Sequence, residues 1–144
     1  MGADVIKIEL PLVGDLARWI FCSETDLRAP YFQATNRGKR GMTLDLRTES
    51  GVEIFKQLVQ SADVVISNFK PGTLEEWGIG YEDLRGINEG IICAAGSTFG
   101  PVGPDAQLEG ADLAGQCAGG LVSTIGYEGA AYSPVGATIA DHIA

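Results

Sequence analysis

The sequence predicts an α/β fold built around a parallel β-sheet. Two short apolar runs, 64–66 and 91–95, have the length and composition of strands that are buried on both faces of such a sheet. Residues 4–9 alternate between apolar and polar side chains, as a strand does. A segment with helical spacing lies between the predicted strands at 42–46 and 64–66, so we expect a β–α–β unit with a right-handed crossover.

The N-terminal part of the chain is predicted to contain two strands and a long connection. After the strand at 4–9, residues 10–30 hold prolines and glycines without sustained periodicity, and connections of that length are usually functional or disordered. Residues 36–41 combine glycines with cations, which predicts a loop that faces a bound group. The alternating residues 42–46 predict the second strand.

A helix is predicted next, and it leads into the first buried strand. Thr48 is a good N-cap, and Glu49 lies in the first turn, where the helix dipole favours an anion. The helix ends before the strand at 64–66, which completes the β–α–β unit. Its apolar side chains recur on one face: Phe55, Leu58, Val59 and Ala62.

The second half of the chain is predicted to alternate short helices with loops. Thr73 and Glu76 match a capping box, which indicates a brief helix, and 81–87 indicates another. The glycines and prolines of 96–104 exclude regular structure, so we expect a loop over the sheet edge. Small side chains at close spacing in 112–124 predict a tightly packed helix rather than a surface one.

Length and charge narrow the classes of function. The 144 residues are enough to bury a core, and we predict that 1–144 form one domain or part of a larger one. The net charge of −9 argues against nucleic-acid binding, which needs a basic field to neutralise phosphates. One short segment is nevertheless rich in cations, and it is either a solvated basic loop or a local anion site: Arg37, Lys39, Arg40 and Arg47.

The cysteines and the single histidine exclude several kinds of site. Cys22, Cys93 and Cys117 are far apart and have no metal-like spacing, which predicts reduced thiols in a cytoplasmic protein. Cys93 and Cys117 have apolar neighbours and are predicted to be core residues. Because His142 is the only histidine, no metal site is predicted. No apolar run is long enough to span a bilayer, so no membrane association is expected.

The stretch 62–72 is the best candidate for a ligand-binding edge. Asn68 and Phe69 follow directly on the strand at 64–66, and ligands of open α/β sheets bind outside the carboxyl ends of the strands. An amide beside a flat apolar ring suits a ligand with polar and aromatic parts. The sequence has no Gly-x-Gly-x-x-Gly after a first strand and no P-loop, so an ordinary NAD or ATP site is not expected.

Seven motifs, taken in order, resemble those of the class III CoA-transferase family, which includes formyl-CoA transferase and carnitine CoA-transferase. No single motif is specific, but their order covers essentially the whole chain. They are 2–9 (GADVIKIE) with the proline and Gly-Asp that follow, 36–40 (NRGKR) with 44–46 (LDL), 62–72 (ADVVISNFKPG), 78–82 (GIGYE), 99–104 (FGPVGP), 116–120 (QCAGG) and 140–142 (ADH).

The resemblance implies a Rossmann-like parallel sheet with flanking helices, an interlocked homodimer, and coenzyme A as co-substrate with an acyl-CoA and a small carboxylic acid. The family's catalytic aspartate falls on Asp141, and a second active-site carboxylate falls on Asp112. Arg37, Lys39 and Arg40 are candidates for binding the CoA phosphates. The family's CoA-contacting positions fall on Leu44, Asp45, Arg47, Asn68, Phe69 and Trp77.

Each of these residues also has a purely structural interpretation. Asp141 and Asp112 are both plausible helix N-caps, and His142 is then a bystander. Phe69 is equally typical of a core residue. The resemblance favours the functional interpretation most strongly for Asp141, less so for Asn68 and Phe69, and leaves Asp112 open.

The sequence also departs from the family. The family's chains are longer at both ends, so the fold is expected to be incomplete relative to the family and the chain to be a truncated product or fragment. A racemase branch of the family has a histidine before the position of Asp112, whereas this chain has Ala111, which disfavours proton abstraction. Three hypotheses result: a CoA-transferase, a non-catalytic CoA-binding or oligomerising fragment, and a 2-methylacyl-CoA racemase.

Overall fold

The structure, a computed structural model, describes residues 2–20 and 29–143, with the backbone alone for the last two of them. The chain divides into two compact units, Met1–Gln57 and Leu58–Ala144. Each unit contains a two-stranded parallel sheet with helices beside it, so the α/β prediction is confirmed. That the two units make up one domain stays a prediction from the sequence.

In the first unit, β1 (Ile6–Glu9) pairs in parallel with β2 (Arg40–Thr43). Between them the chain forms a 3-10 helix (Leu16–Arg18) and α1 (Pro30–Asn36). The long connection is therefore partly helical, and proline at the first position of α1 is well suited to a helix start. The second strand begins and ends earlier than the predicted 42–46, because β1 fixes its hydrogen-bonding register.

The helix α2 (Glu49–Val59) follows β2 and crosses the boundary between the units. The Thr48 hydroxyl accepts a hydrogen bond from the backbone N–H of Gly51 at 3.1 Å, so the predicted N-cap is confirmed. Phe55 and Val59 on the apolar face of α2 are buried, as its spacing predicts.

The second unit contains β3 (Val64–Ser67) and β4 (Ile92–Ala95), which pair in parallel. The crossover between them contains α3 (Thr73–Glu76) and α4 (Tyr81–Arg85). The Asn88 amide links the end of this crossover to the C-terminal end of α2, because it donates to the backbone carbonyls of residues 59 and 62. The most deeply buried apolar side chains of this unit are Val59, Ile79, Leu84 and Ile91.

The rest of the second unit is a loop followed by short helices. Residues 96–104 contain no helix or strand, as predicted. The predicted helix over 112–124 is instead α5 (Asp112–Ala118) followed by a 3-10 helix (Leu121–Thr124), because Gly120 takes a left-handed conformation with φ of 76°. The last element is α6 (Ile139–Ile143), which packs against α5.

Two predictions about the strands are wrong. The β–α–β unit was expected to join β2 and β3 in one sheet, but β2 pairs with β1 and β3 pairs with β4. Residue alternation identifies a strand without identifying its partner, which explains the error. The strands β3 and β4 are also not buried on both faces, since Ile66 is 80% exposed and Ile92 is 61% exposed in the absence of a covering element among the described residues.

Two further predictions are corrected by local geometry. Gly72, with φ of 92°, occupies the N-cap of α3 without a side-chain bond, so Thr73 lies inside the helix and the predicted capping box does not form. At α4 one half of such a box is present, since Asp83 accepts from the backbone N–H of the N-cap residue Gly80 at 3.1 Å. Within the part of the chain described, no helix is both long and apolar enough to cross a membrane.

The cysteine prediction also needs correction. Cys93 and Cys117 are free and exposed rather than core residues. Cys93 lies in β4, whose side chains all remain accessible, and Cys117 lies on the outer side of α5. Partial burial raises the pKa of the Cys93 thiol, which does not favour a reactive thiolate. Cys22 lies outside the described residues.

Candidate functional site

A pocket lies at the carboxyl ends of the two strands of the second unit. Asn68 directly follows β3, and the 96–110 loop continues from β4 on the opposite side of the pocket. Its volume is about 270 Å³. Both predicted binding residues of this stretch are among those that line it: Asn68, Phe69, Lys70, Pro71, Ser97, Thr98, Ala106, Leu108, Glu109 and Gly110.

The aromatic part of this pocket is formed by Phe69 and stabilised by Trp77. The two rings meet edge to face, with centroids 5.1 Å apart and planes at 72°. Phe69 is 42% exposed, so the interpretation of this ring as a core residue is wrong. Trp77 is half-buried and supports the Phe69 ring from the side. The pocket thus presents a braced aromatic ring next to a solvent-accessible amide.

Polar contacts connect the two sides of the pocket mouth. Lys70 forms an ion pair with Glu109 across 2.8 Å, and its ammonium lowers the pKa of that carboxyl. The Gln107 amide donates to the carbonyl of Pro71 at 3.2 Å. These contacts hold the loop that follows β3 against the loop that follows β4.

The structure brings together the two predicted catalytic aspartates, in different roles. Asp141 lies in the first turn of α6 with its side chain exposed. One carboxylate oxygen of Asp112 accepts hydrogen bonds from the backbone N–H of Ala140 at 2.7 Å and of Asp141 at 3.2 Å. Asp112 therefore binds the beginning of the helix that carries Asp141.

Neither aspartate is the N-cap of its own helix, so that interpretation is wrong for both. The N-cap of α5 is Ala111, and Asp112 is the first residue inside the helix. Asp141 is the third residue of α6. A carboxylate that satisfies the start of a different helix cannot be recognised from local sequence, since the two residues are 29 positions apart.

Gln116, whose role the sequence did not reveal, contacts Asp112 from the interior of the unit. Gln116 is only 2% exposed, and its amide donates to Asp112 at 2.5 Å while its oxygen accepts from the backbone N–H of Val135 at 2.9 Å. The motif at 116–120 pointed to this residue, but the motif alone assigns no contact to it.

The predicted basic segment of the first unit is largely paired with its own neighbours. Arg40 forms a bidentate pair with Asp4, and Lys39 donates to Asn36 at 3.1 Å. Arg37 follows α1 and is exposed. Arg47 donates twice to Asp45.

The Asp45 and Arg47 pair is preorganised in a short turn after β2. The guanidinium hydrogen bonds lower the pKa of Asp45 to about 2 and raise the pKa of Arg47. A fixed, permanently charged guanidinium suits phosphate recognition. Leu44, one residue earlier, is buried with 9% exposure. Its side chain contributes to the core of this unit.

A second pocket, which the sequence analysis did not identify, lies at the carboxyl ends of β1 and β2. It has a volume of about 540 Å³. Its floor includes Glu9, whose carboxylate is paired in bidentate fashion with Arg18 at 2.7 and 2.8 Å. The residues that line it are Glu9, Leu10, Leu12, Val13, Gly14, Arg18, Trp19, Gly41, Met42 and Thr43.

The charges at this second pocket fix the loop that forms its wall. Arg18 also lies 3.9 Å from the centre of the Phe32 ring, and Lys7 pairs with Asp15 across 2.5 Å. The hydrogen bond from Arg18 lowers the pKa of Glu9 although burial opposes the shift. The loop after β1 is therefore held by ion pairs in addition to the short 3-10 helix that it contains.

Known proteins are similar to this chain in sequence and in fold. Succinyl-CoA–D-citramalate CoA-transferase of Chloroflexus aurantiacus is 38% identical over 99% of this chain and 36% of its own length. Succinate–glutarate CoA-transferase of Agrobacterium fabrum is 42% identical over 98% of this chain and 37% of its own. Formyl-CoA:oxalate CoA-transferase of Rhodopseudomonas palustris is 37% identical over 97% of this chain and 33% of its own.

Solved structures agree with these relatives. A CAIB/BAIF family protein from Brucella suis superposes with a TM-score of 0.86 at 42% identity, over 97% of this chain and 38% of that one. The chain thus spans about a third of the length of the relatives that it matches. CoA-transferase family III matches across residues 1–144. On this evidence, the chain belongs to CoA-transferase family III.

Proposed function

We propose that this chain provides the nucleophile and part of the coenzyme A site of an enzyme that moves CoA between an acyl-CoA and a small carboxylic acid. One observation carries the proposal: a single compact unit combines the exposed carboxylate of Asp141 with the pocket of Asn68 and Phe69. The relatives named above transfer CoA among succinate, glutarate, D-citramalate, formate and oxalate, according to their names. A small mono- or dicarboxylate is therefore the proposed acceptor class.

In the proposed reaction, Asp141 acts as a covalent nucleophile. Its carboxylate attacks the thioester carbonyl of the acyl-CoA, and the C–S bond breaks. The CoA thiolate departs, and an acyl–aspartyl anhydride remains on the protein. The thiolate then attacks the aspartyl carbonyl, which releases the first carboxylic acid and forms an aspartyl–CoA thioester. The acceptor carboxylate then attacks the aspartyl–CoA thioester, which forms a second anhydride and releases the CoA thiolate. The thiolate attacks the acceptor's carbonyl in this anhydride, so that the new acyl-CoA leaves and the Asp141 carboxylate is restored. No external proton donor or oxidant is needed.

Coenzyme A must remain bound throughout this exchange. Phe69 supplies a ring face for the adenine, and Asn68 supplies an amide for a polar edge. That the cations Arg37, Lys39, Arg40 and Arg47 bind the CoA phosphates stays a prediction from the sequence. The contacts of Leu44, Asp45, Arg47 and Trp77 with CoA remain predictions. So do the homodimer and the cytoplasmic location.

The nucleophile is tested by trapping. The chain is incubated with succinyl-CoA and then treated with hydroxylamine or borohydride, and the modified peptide is identified by mass spectrometry. We expect a hydroxamate or an alcohol on Asp141, no product in Asp141→Asn, and normal labelling in Asp105→Asn, a control that alters another exposed aspartate. Modification of a different carboxylate would contradict the assignment.

The binding pocket is tested separately by calorimetry with free CoA. Base–aromatic stacking is worth about 1–3 kcal/mol, so Phe69→Ala should weaken binding by about fivefold or more. Tyr127→Ala removes an aromatic ring that is 90% exposed outside the pocket and should leave the affinity unchanged. Equal affinities for the two variants would remove Phe69 from the site.

A second function is favoured by one observation. Because the pocket of Asn68 and Phe69 can hold CoA without a nucleophile, the chain is also a candidate for CoA binding or oligomerisation without turnover. CoA binding without any trapped adduct would support that function. The racemase hypothesis is disfavoured by the alanine side chain of Ala111, which cannot move a proton. Exchange of the α-proton of a 2-methylacyl-CoA with deuterated water would revive it.

A further inference from the structure

Gln116 is a polar side chain built into the interior of the second unit. It lies in the middle of α5 and is 2% exposed, and an amide buried to this extent is strongly unfavourable unless it has hydrogen-bond partners. Its oxygen accepts from the N–H of Val135, and its nitrogen lies 3.3 Å from the carbonyl of Ala137. The amide therefore binds the backbone of the segment that leads to α6.

Gln116 also binds the carboxylate that holds α6. Its nitrogen donates at 2.5 Å to one oxygen of Asp112, one helical turn earlier, while the other oxygen of Asp112 accepts from the backbone N–H groups of Ala140 and Asp141. A carboxylate that is bound through both oxygens cannot rotate freely. The orientation of Asp112, and with it the start of α6, thus depends on the Gln116 amide.

The helices α5 and α6 also approach each other closely at this point. A β-carbon at Gly115 would lie 3.0 Å from the β-carbon of Ala140, so the space between the two backbones is filled. Contact on one side and hydrogen bonds on the other leave the first turn of α6 little room to shift. Asp141 lies one residue after Ala140 in that turn.

We propose that Gln116 is a positioning residue for the Asp141 nucleophile. It fixes the Asp112 carboxylate, Asp112 fixes the N–H groups at the start of α6, and the helix start places the Asp141 carboxylate for attack on the thioester. The proposal rests on the proposed function of Asp141. It gives a role to the 116–120 motif and makes Asp112 a structural partner of the nucleophile rather than a second acid or base.

The first test is the variant Gln116→Leu, which keeps the side-chain volume and removes the amide. A misplacement of about 1 Å is enough to slow a reaction about 100-fold, so adduct formation on Asp141 from succinyl-CoA should slow by roughly 10- to 100-fold. The affinity for free CoA should stay unchanged. Hydrogen exchange of the Ala140 and Asp141 amides should become faster, because their acceptor is no longer held.

The variant Gln116→Glu gives a readout that a general loss of structure would not give. Its new carboxyl faces the carboxylate of Asp112, and two such groups at hydrogen-bond distance share one proton. At low pH the protonated carboxyl can donate to Asp112 and preserve adduct formation. As the pH rises and the proton leaves, repulsion should displace Asp112, and the rate should fall at a pH where the unaltered protein shows no such loss. The control Gln60→Glu changes an exposed glutamine and should show no new pH dependence.

The outcomes separate this proposal from the one on which it rests. If the unaltered protein forms no adduct, the function of Asp141 is overturned, and the positioning role with it. If the unaltered protein forms the adduct and Gln116→Leu forms it equally fast, only the positioning role is overturned. Unchanged amide exchange at Ala140 and Asp141 in a folded Gln116→Leu variant would overturn it as well.

Discussion

Two arginine–carboxylate pairs in the first unit have the same bidentate geometry and differ in burial. The carboxylate of Glu9 is 6% exposed, and that of Asp4, which pairs with Arg40, is 72% exposed. Exposed pairs contribute little because water and salt screen them, whereas a buried carboxylate depends on its partner. The two pairs therefore allow the stability contribution of the same arginine–carboxylate interaction to be compared for a buried and an exposed carboxylate.

We expect Glu9→Gln to lower the free energy of unfolding by about 2 kcal/mol, since it removes charge-assisted bonds from a buried group. Asp4→Asn should change it by less than about 0.5 kcal/mol. Urea unfolding followed by circular dichroism measures both. Equal effects from the two substitutions would show that burial does not determine the contribution of Glu9.

The Glu9 pair also predicts a dependence on pH. The bond from Arg18 lowers the pKa of Glu9 in the folded state, so its stabilisation is fully present above the ordinary glutamate value of 4.5 and is lost as the pH falls through the lowered value. Glu9→Gln should therefore lose less stability than the unaltered protein on acidification below pH 4.5. Asp15 keeps some acid sensitivity in the variant, because burial raises its pKa less than the hydrogen bonds from Lys7 and Ala17 and the nearby cationic charges together lower it.

At the scale of elements, local chemistry predicted α2 well and missed a close contact at its start. Thr48 was recognisable as an N-cap, and the bond to the backbone of Gly51 confirms it. No local pattern indicates that Gly51 packs against the turn after β2. A β-carbon at Gly51 would overlap the backbone carbonyl of Asp45, which Thr48 also binds at 2.8 Å.

We expect Gly51→Ala to destabilise the protein, although alanine favours a helix interior over glycine by about 1 kcal/mol. The added methyl group must move either the first turn of α2 or the turn that holds the Asp45 and Arg47 pair. A fall in melting temperature tests this. Gly41→Ala is the control, because its β-carbon meets nothing within 4 Å. A higher melting temperature for Gly51→Ala would mean that helix propensity outweighs the contact.

The same limit on local information applies to α5 and α6. The position of Asn68 at the end of a strand could be predicted, because a strand end is a local pattern and parallel sheets bind ligands there. The bond from Asp112 to the start of α6 could not, because it joins residues that are far apart in sequence and depends on how two short helices pack. The motifs point to both aspartates as candidate site residues without revealing that Asp112 supports the helix of Asp141.

At the scale of the whole molecule, apolar residues in β3 and β4 were predicted to be buried and are largely exposed. The pairing places Val64 opposite Ile92, and the two-residue period puts Ile66 on the same face. These three side chains are 47%, 61% and 80% exposed. A contiguous apolar face of this kind binds hydrophobic dyes and promotes association.

This face gives the last prediction. Replacing Ile66 and Ile92 together by threonine keeps the β-branched shape, so we expect weaker fluorescence of a bound anilinonaphthalene dye, less self-association by light scattering, and a stability change of less than about 1 kcal/mol. The buried control Ile79→Thr, at 0% exposure, should instead cost about 2–4 kcal/mol, since it places a hydroxyl in the core and leaves a cavity. A large loss of stability in the double variant, comparable to that of Ile79→Thr, would mean that these strand residues are buried in solution. That outcome would restore the expectation from the sequence, in which both strands have covered faces.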